Sequence, residues 1–600
     1  MANPQRAKRT RHRGCAASQY AGLLSHHRPK SATAAPAGSQ GVVPRTRTTQ
    51  AGAADIGVLP TRSGPARRML VVSVMSRFAS SAIPHRLVLA VFLSAALAAG
   101  MSSSGSAAGS STNVDAVAGA RLILEGSDGA DLAAVPDVAG DRRSALVLGD
   151  GAVDLPGRPA AGVVYVVFDT ARTGAVRVDD PGLTGFRIIG GPYYRAGTSV
   201  ADAGDVNGDG RADILVSAPR HGVTCASPTS GPCGYKAPGT AFVVYGRSGP
   251  GTVDLAHLHA SQGFAIKGIS GGVFLPGERV LAGLGNFTGD GYGAVAVTGA
   301  GYAVGGRRYR PGAYVIYGGR HLGTVDLQDI GSRGFRVAAR DPSESLLVAH
   351  AGDVNGDRRT DLLLDQPGGE ASVLFGGRHH ATISAARLGR HGFTISGLAQ
   401  AGGGLPMTGV GDLNGDRRSD LLIVRSEIAP NGVPPAEVDV VYGSASTRTV
   451  DLARLGSRGF RVLPGPVAAG LNLQLGPVAA LGDLNGDGRA DLGITAITYP
   501  PGASGSELGT VSVIFGAPFT APLSLDALGS AGYQLTAPDQ PATCAPLLPS
   551  GNRLGSSLTA LGDVGGAPEF AVGAPYLGSP GQGPCAGPVG EVLIEAPPAG

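Results

Sequence analysis

The sequence predicts an all-β fold, a seven-bladed β-propeller built from four-stranded blades. Three observations predict it. The nonapeptide pattern D-x-N-G-D-(G/R)-R-x-D occurs four times, as DVNGDGRAD at 205–213, DVNGDRRTD at 353–361, DLNGDRRSD at 412–420 and DLNGDGRAD at 483–491. Degenerate relatives stand at Pro136 (PDVAGDRRSA), Gly285 (GNFTGDGYGA) and Gly562 (GDVGGAPEF), which brings the loops to seven. Their spacing of about 60–80 residues leaves room for four short strands per repeat, and long internal periods of this kind mark repeat architectures.

Each element of the repeat has its own signal. An Ala/Leu/Val-Gly step precedes each intact loop and an apolar run follows it: ILVSAP, LLLDQP, LLIVRS, LGITAI. Next comes a run ending in an aromatic, usually with glycine: YVVFD at Tyr165, FVVYG at Phe242, YVIYG at Tyr314, SVLFG at Ser372, DVVYG at Asp439 and SVIFG at Ser512. A Val-Asp-Leu segment follows at Val253, Val325 and Val450, then a Gly-aromatic run beginning at Gly185, Gly263, Gly334, Gly392, Gly459 and Gly532. These runs are short, rich in β-branched and aromatic residues, and bounded by Gly, Pro and Asp, so they read as strands.

The loops carry the chemistry. Oxygen donors at positions 1, 3 and 5, a backbone carbonyl at 7 and a carboxylate at 9 make a cage for a hard cation, with ligands at ~2.3–2.6 Å and no nitrogen or sulfur. The expected ligands are Asp205, Asn207, Asp209, the carbonyl of Arg211 and Asp213; Asp353, Asn355, Asp357, the carbonyl of Arg359 and Asp361; Asp412, Asn414, Asp416, the carbonyl of Arg418 and Asp420; and Asp483, Asn485, Asp487, the carbonyl of Arg489 and Asp491. An EF-hand loop opens the same way but needs a bidentate Glu at position 12. Position 12 here is aliphatic (Val216, Leu364, Ile423, Ile494), so the loops connect strands, and the expected cofactor is about four structural Ca2+ ions. Ala139 and Ala145, Ala294, and the shortened loop at Gly562 remove donors from the other three.

With these residues on the page, GTSVADAGDVNGDGRADILVSAP (197–219) and LGSSLTALGDVGGAPEFAVGAP (554–575) resemble FG-GAP repeats, the blades of the integrin α-subunit head and of many bacterial secreted proteins. The resemblance covers about residues 113–595. The FG of the name is poorly kept, with Ala196 before Gly197; GAP stands at 573–575 and as Ser217-Ala218-Pro219. It implies that the loop joins an innermost strand to the next on the bottom face, and that the Gly-aromatic run is outermost. The start NVDAVAGARLILEG (113–126) then supplies an outer strand without inner ones, and GEVLIEA (590–596) lacks one. Arg121–Glu125 is therefore expected to close the last blade beside Glu591–Glu595, removing an exposed edge.

The domain reading is a basic leader at 1–68, a signal peptide and linker at 69–112 and the propeller at 113–600. Residues 1–100 carry a net charge of +13 and the rest −9, so the exported part is not expected to bind nucleic acid. Arg77 and Arg86 precede the apolar run LVLAVFLSAALAAG (87–100), which reads as a secretory signal around 75–100 and is short of the ~20 residues of a membrane span. A start at Met69 or Met75 fits that signal. A secreted or cell-surface product, without a transmembrane helix in the mature chain, is the expectation. Cysteine usage agrees with export: Cys15 falls in the leader, Cys225 and Cys233 flank a Pro/Ser/Gly loop, and in the family topology Cys544 and Cys585 share the top face, implying two disulfides.

Catalytic patterns are weak. G-x-S-x-G at 268–272 lacks the helix a nucleophile elbow needs. His257, His259, His379 and His380 have no third ligand in reach of sequence and read as surface residues. The chain has no Trp platform for a sugar ring. The preferred function is a non-enzymatic, calcium-binding adhesion or ligand-binding module, monomeric, recognising a protein or glycan through its variable top loops. The alternative is an extracellular hydrolase or lyase with its site in the top channel.

Overall fold

In the computed structural model the chain divides into Met1–Ser103 and Ser104–Gly600. The structure describes residues 113–115, 122–125 and most of 131–595; the longer stretches outside the described residues are 223–238, 270–279, 399–405, 427–435, 466–471, 500–507, 537–553 and 575–590. The leader, the signal segment, most of the expected top loops and all five cysteines (Cys15, Cys225, Cys233, Cys544, Cys585) lie outside them, as does the Ser270 of the G-x-S-x-G match.

The described residues form an all-β, propeller-like fold of curled sheets with only short 3-10 turns. One sheet shows the plan. Asp131–Pro136, Ser144–Asp150, Val163–Val167 and Gly185–Ile189 pair antiparallel in that order, and Thr252–Asp254 of the next repeat adds a parallel fifth strand. The same order recurs in Leu347–Gly352, Asp361–Gln366, Glu370–Leu374 and Gly392–Ser396 with Val450–Asp451. It recurs again in Met407–Gly411, Asp420–Ser426, Ala436–Val441 and Gly459–Leu463 with Leu523–Ser524. The Val-Asp segments are thus straps onto the preceding sheet, a role the sequence did not reveal. Their aspartates then cap a 3-10 turn, as Asp254 does by accepting from the Ala256 N–H.

Two departures from isolated four-stranded blades appear. Each of these sheets gains that parallel fifth strand. The second and third repeats also merge into a ten-stranded sheet, through a single pairing of Ile269 with Gly299 where their strands end. The expected closure by the N-terminal segment is present. Leu122–Glu125 pairs antiparallel with Glu591–Glu595, and Asn113–Asp115 straps the sheet of Asn472–Gly482 through Gly532–Thr536. The first strands lie side by side in chain order (131–136, 200–204, 281–283, 347–352, 407–411, 472–482, 558–564), and the last packs against the first. There the Ala134 N–H donates to Thr559 Oγ1 at 3.1 Å.

The core follows the same cycle. Its hydrophobic clusters sit between consecutive repeats rather than within one, and the last joins Leu561, Ala571 and Ile594 to Leu132, Leu146 and Leu148. The Gly-aromatic motif has a packing reason. A Cβ at Gly459 would stand 1.9 Å from the Val440 carbonyl oxygen of the adjacent strand, so the outer strand starts only with glycine. The aromatic after it is buried and meets the aromatic that ends the third strand, as in Phe375–Phe393 at 6.0 Å and Tyr442–Phe460 at 6.1 Å between ring centroids.

Candidate metal centre

The Ala/Leu/Val-Gly step before each loop is a β-bulge. The register slips between His350 and Gly352, and likewise between Gly409 and Gly411. The extra residue (Ala351, Val410) is buried, and the glycine takes φ of 73° or 78°, which favours a residue without Cβ. The bulge turns the chain out of the inner strand into the loop.

All four intact loops then fold alike. In the first, Asp205 Oδ1 accepts from the N–H groups of Gly208 (2.7 Å) and Asp209 (3.0 Å), and Oδ2 from Gly210 (2.8 Å). Asn207 Oδ1 accepts from the Asp209 N–H at 2.7 Å, and Asp209 Oδ1 from the Arg211 N–H at 2.9 Å. Asp353, Asp412 and Asp483 repeat the three-fold pattern of Asp205. Position 6 is glycine in two loops and arginine in two, Arg358 and Arg417, whose φ of 67° and 68° is left-handed. Position 12 is buried in every copy (Val216, Leu364, Ile423, Ile494).

The ninth residue does something the sequence reading missed. Asp213, Asp361, Asp420 and Asp491 are fully buried. Asp213 accepts from the Val206 N–H (3.0 Å) and from the Gly246 N–H (2.9 Å), tying the loop to the end of the third strand. Asp361 does so with Val354 and Gly376, Asp420 with Leu413 and Gly443, and Asp491 with Leu484 and Gly516. This explains the glycine after the aromatic of the third strand: its N–H is the second donor. The signal was present in the sequence as the two motifs, but nothing local said that they meet.

Burial is the main cause of an upward pKa shift at these four carboxyls, opposed by the backbone donors and reinforced by the other two carboxylates of each loop. Asp213 is pushed up to about 8, Asp361 and Asp420 to about 7, and Asp491 to about 6. Among the described residues, no three His, Cys, Asp or Glu side chains converge as a ready-made metal group; the loop carboxylates are held along the loop by backbone N–H groups. The donor chemistry nevertheless fits a hard dication. It is oxygen throughout, it is prefolded, and a buried carboxyl forced toward its neutral form calls for a counter-charge. In the degenerate third loop a guanidinium takes part of that role, Arg378 pairing with Asp290 at 2.5 Å. Ala294 there leaves no ninth carboxylate.

Other candidate groups resolve into structure. His257 pairs with Asp254 and His259 with Ser261, both exposed. His379 is not a free surface residue: its ring packs on Phe335 at 4.9 Å and His391 at 5.1 Å, which corrects the surface reading. A half-buried cluster unforeseen from sequence joins Arg425, Glu437, Asp439 and Arg461, with the buried Asp439 between the two guanidinium groups at 2.9 Å each. A cavity of about 440 Å³ is lined by the inner strands, with Asp202 and His350 the ionisable groups among its described lining residues. A wider groove of about 850 Å³ lies beside the first loop, between Asn207, Asp209, Arg247, Gln262 and Arg320. The top face, the expected place for recognition, is largely outside the described residues.

The architecture and loops together define a β-rich repeat protein with propeller-like sheets. Residues 196–240, spanning the first two strands of the second repeat, their loop and the start of the third strand, match the FG-GAP repeat family. No curated protein gives a match to the chain. Among the described residues no helix is long and apolar enough to cross a membrane.

Proposed function

We propose that the chain is a seven-bladed, calcium-braced FG-GAP propeller that acts outside the cell as a ligand-binding or adhesion module without catalytic chemistry of its own. The observation that carries the metal reading is the identical backbone cradle of the four loops, each presenting aspartate, asparagine, aspartate, a carbonyl and a buried aspartate in one order. Bound calcium supplies the positive charge that lets these carboxylates stay ionised. The blade count is supported by the cycle of first strands that returns to its start, with a core cluster at every junction.

Recognition belongs to the face opposite the loops. The loop face repeats one motif and has little freedom to diversify, while the connections on the other face differ in length from repeat to repeat. The purified chain, screened on glycan and protein arrays with calcium and with chelator, tests this. Specific binding that survives substitution of the groove residue Arg320 but is lost on altering 221–240 or 300–311 supports the reading. Turnover of an extracellular polymer by the purified chain contradicts it.

A further inference from the structure

The loops touch one another, and they do so through a ligand-bearing peptide. The Ser419 N–H donates to the Asp353 carbonyl at 2.8 Å, and the Ala490 N–H to the Asp412 carbonyl at 2.9 Å. Ser419 and Ala490 are the eighth residues of their loops; Asp353 and Asp412 are the first residues of the loops before. A peptide plane carries the N–H of residue 8 and the C=O of residue 7 on opposite sides. The plane of Arg418–Ser419 therefore offers its carbonyl to its own loop and its N–H to the residue that opens the preceding one. Arg489–Ala490 does the same one loop further on.

Packing reinforces both bridges. The Arg418 side chain lies over Gly356, the fourth residue of the preceding loop, and Arg489 lies over Gly415 in the same way. A Cβ at Gly352 would collide with the Ser419 side chain, so the bulge glycine of one loop is fitted to the eighth residue of the next.

Resting on the calcium reading above, we infer that loops 353–361, 412–420 and 483–491 form one coupled array of cation sites, while loop 205–213 titrates alone. A cation drawing on the Arg489 carbonyl polarises that peptide, strengthens its N–H bond to Asp412 and fixes the backbone of the neighbouring cradle. The neighbour then binds with less ordering left to do, and by linkage the effect is reciprocal. The first loop has a bridge too, from the Gly293 N–H to the Asp205 carbonyl at 2.7 Å. Its partner loop, however, has Ala294 in place of the ninth carboxylate and Arg378 on Asp290. The chain thus contains its own control.

Native mass spectrometry of the purified full chain across a calcium titration reads the number of ions on each molecule. Asp487→Asn removes one charge from the end of the array, and Asp209→Asn removes one from the isolated loop; both positions keep an oxygen for the backbone N–H they bind. Each variant should lose one ion. The free calcium at half-loading of the remaining sites should rise about fivefold or more in Asp487→Asn, and stay within twofold of the unsubstituted chain in Asp209→Asn. Equal midpoints in the two variants, with calcium still bound, overturn the coupling and leave the calcium reading standing. No calcium on the unsubstituted chain overturns both.

Discussion

Replacing Asp213 by alanine in metal-free protein separates a staple from a ligand. The carboxyl is fully buried and satisfies two buried backbone donors, Val206 N–H and Gly246 N–H. Alanine leaves both without a partner, at about 1–3 kcal/mol each, so the expected loss is about 2–6 kcal/mol even with no cation present. Asp209 is exposed, and water replaces its bonds to Asn207 and Arg211, so Asp209→Ala should stay within ~0.5 kcal/mol under the same conditions. For a fold of about 480 residues, at about 2.1 cal/mol/K per residue, 1 kcal/mol corresponds to about 1 °C in Tm. Calorimetry in chelator at pH 7 should therefore show a drop of about 2–6 °C for Asp213→Ala and under about 1 °C for Asp209→Ala. Equal behaviour of the two variants in chelator would refute the staple. In saturating calcium each should lose a further increment, because each also damages a site.

Four other outcomes are expected. The four ninth-position carboxyls are raised in the folded state, so metal-free protein holds protons that the unfolded chain releases. Its stability should be greatest near pH 4 as far as these groups are concerned, and fall as pH rises through about 6 to 8, by up to ~1.4 kcal/mol per pH unit and group; Tm in chelator that rises over this window contradicts the assignment. Saturating calcium should remove that fall, since the bound state needs the ionised form; a thousandfold excess over the dissociation constant adds about 4 kcal/mol per site, so chelation should lower Tm by well over 10 °C when four sites empty together. Gly459→Ala, which drives a Cβ into the Val440 carbonyl, should cost at least about 1–3 kcal/mol, more than Gly456→Ala, where the surrounding space is open and only the left-handed backbone objects; denaturant melts compare them. Deleting residues 1–112 should leave cooperative unfolding intact, whereas deleting 1–128 removes the partner of Glu591–Glu595 and should produce aggregation, read by light scattering.

Much of this fold was legible because it repeats. The loop pattern, the aromatic-glycine ends and the Gly-aromatic starts each recur, and repetition turns weak strand signals into a strong one. The pairing of Leu122–Glu125 with Glu591–Glu595 was legible for the same reason: an outer strand and a third strand were each left over. What stayed hidden depends on contacts between distant segments. Val-Asp reads as a connection, yet Val450 and Asp451 strap a sheet whose nearest strand ends at Ser396. Asp420 reads as a cation ligand, yet its burial and its bond to the Gly443 N–H appear only once the loop meets the third strand. The bridge from Ser419 to Asp353 joins two loops separated by a whole repeat, and backbone groups leave no mark in composition. Asp439 sits mid-strand among valines, and only the neighbouring strands bring Arg425 and Arg461 to it.

Calcium content per chain tests the central claim most directly. The purified protein is dialysed against calcium and then against metal-free buffer made without chelator, and its metal is counted by atomic emission beside a chelated control. The four prefolded cradles predict about four calcium ions per chain, none in the control, and one fewer for each of Asp209→Asn, Asp357→Asn, Asp416→Asn and Asp487→Asn. Fewer than two ions per chain, or a count that these substitutions leave unchanged, would contradict it.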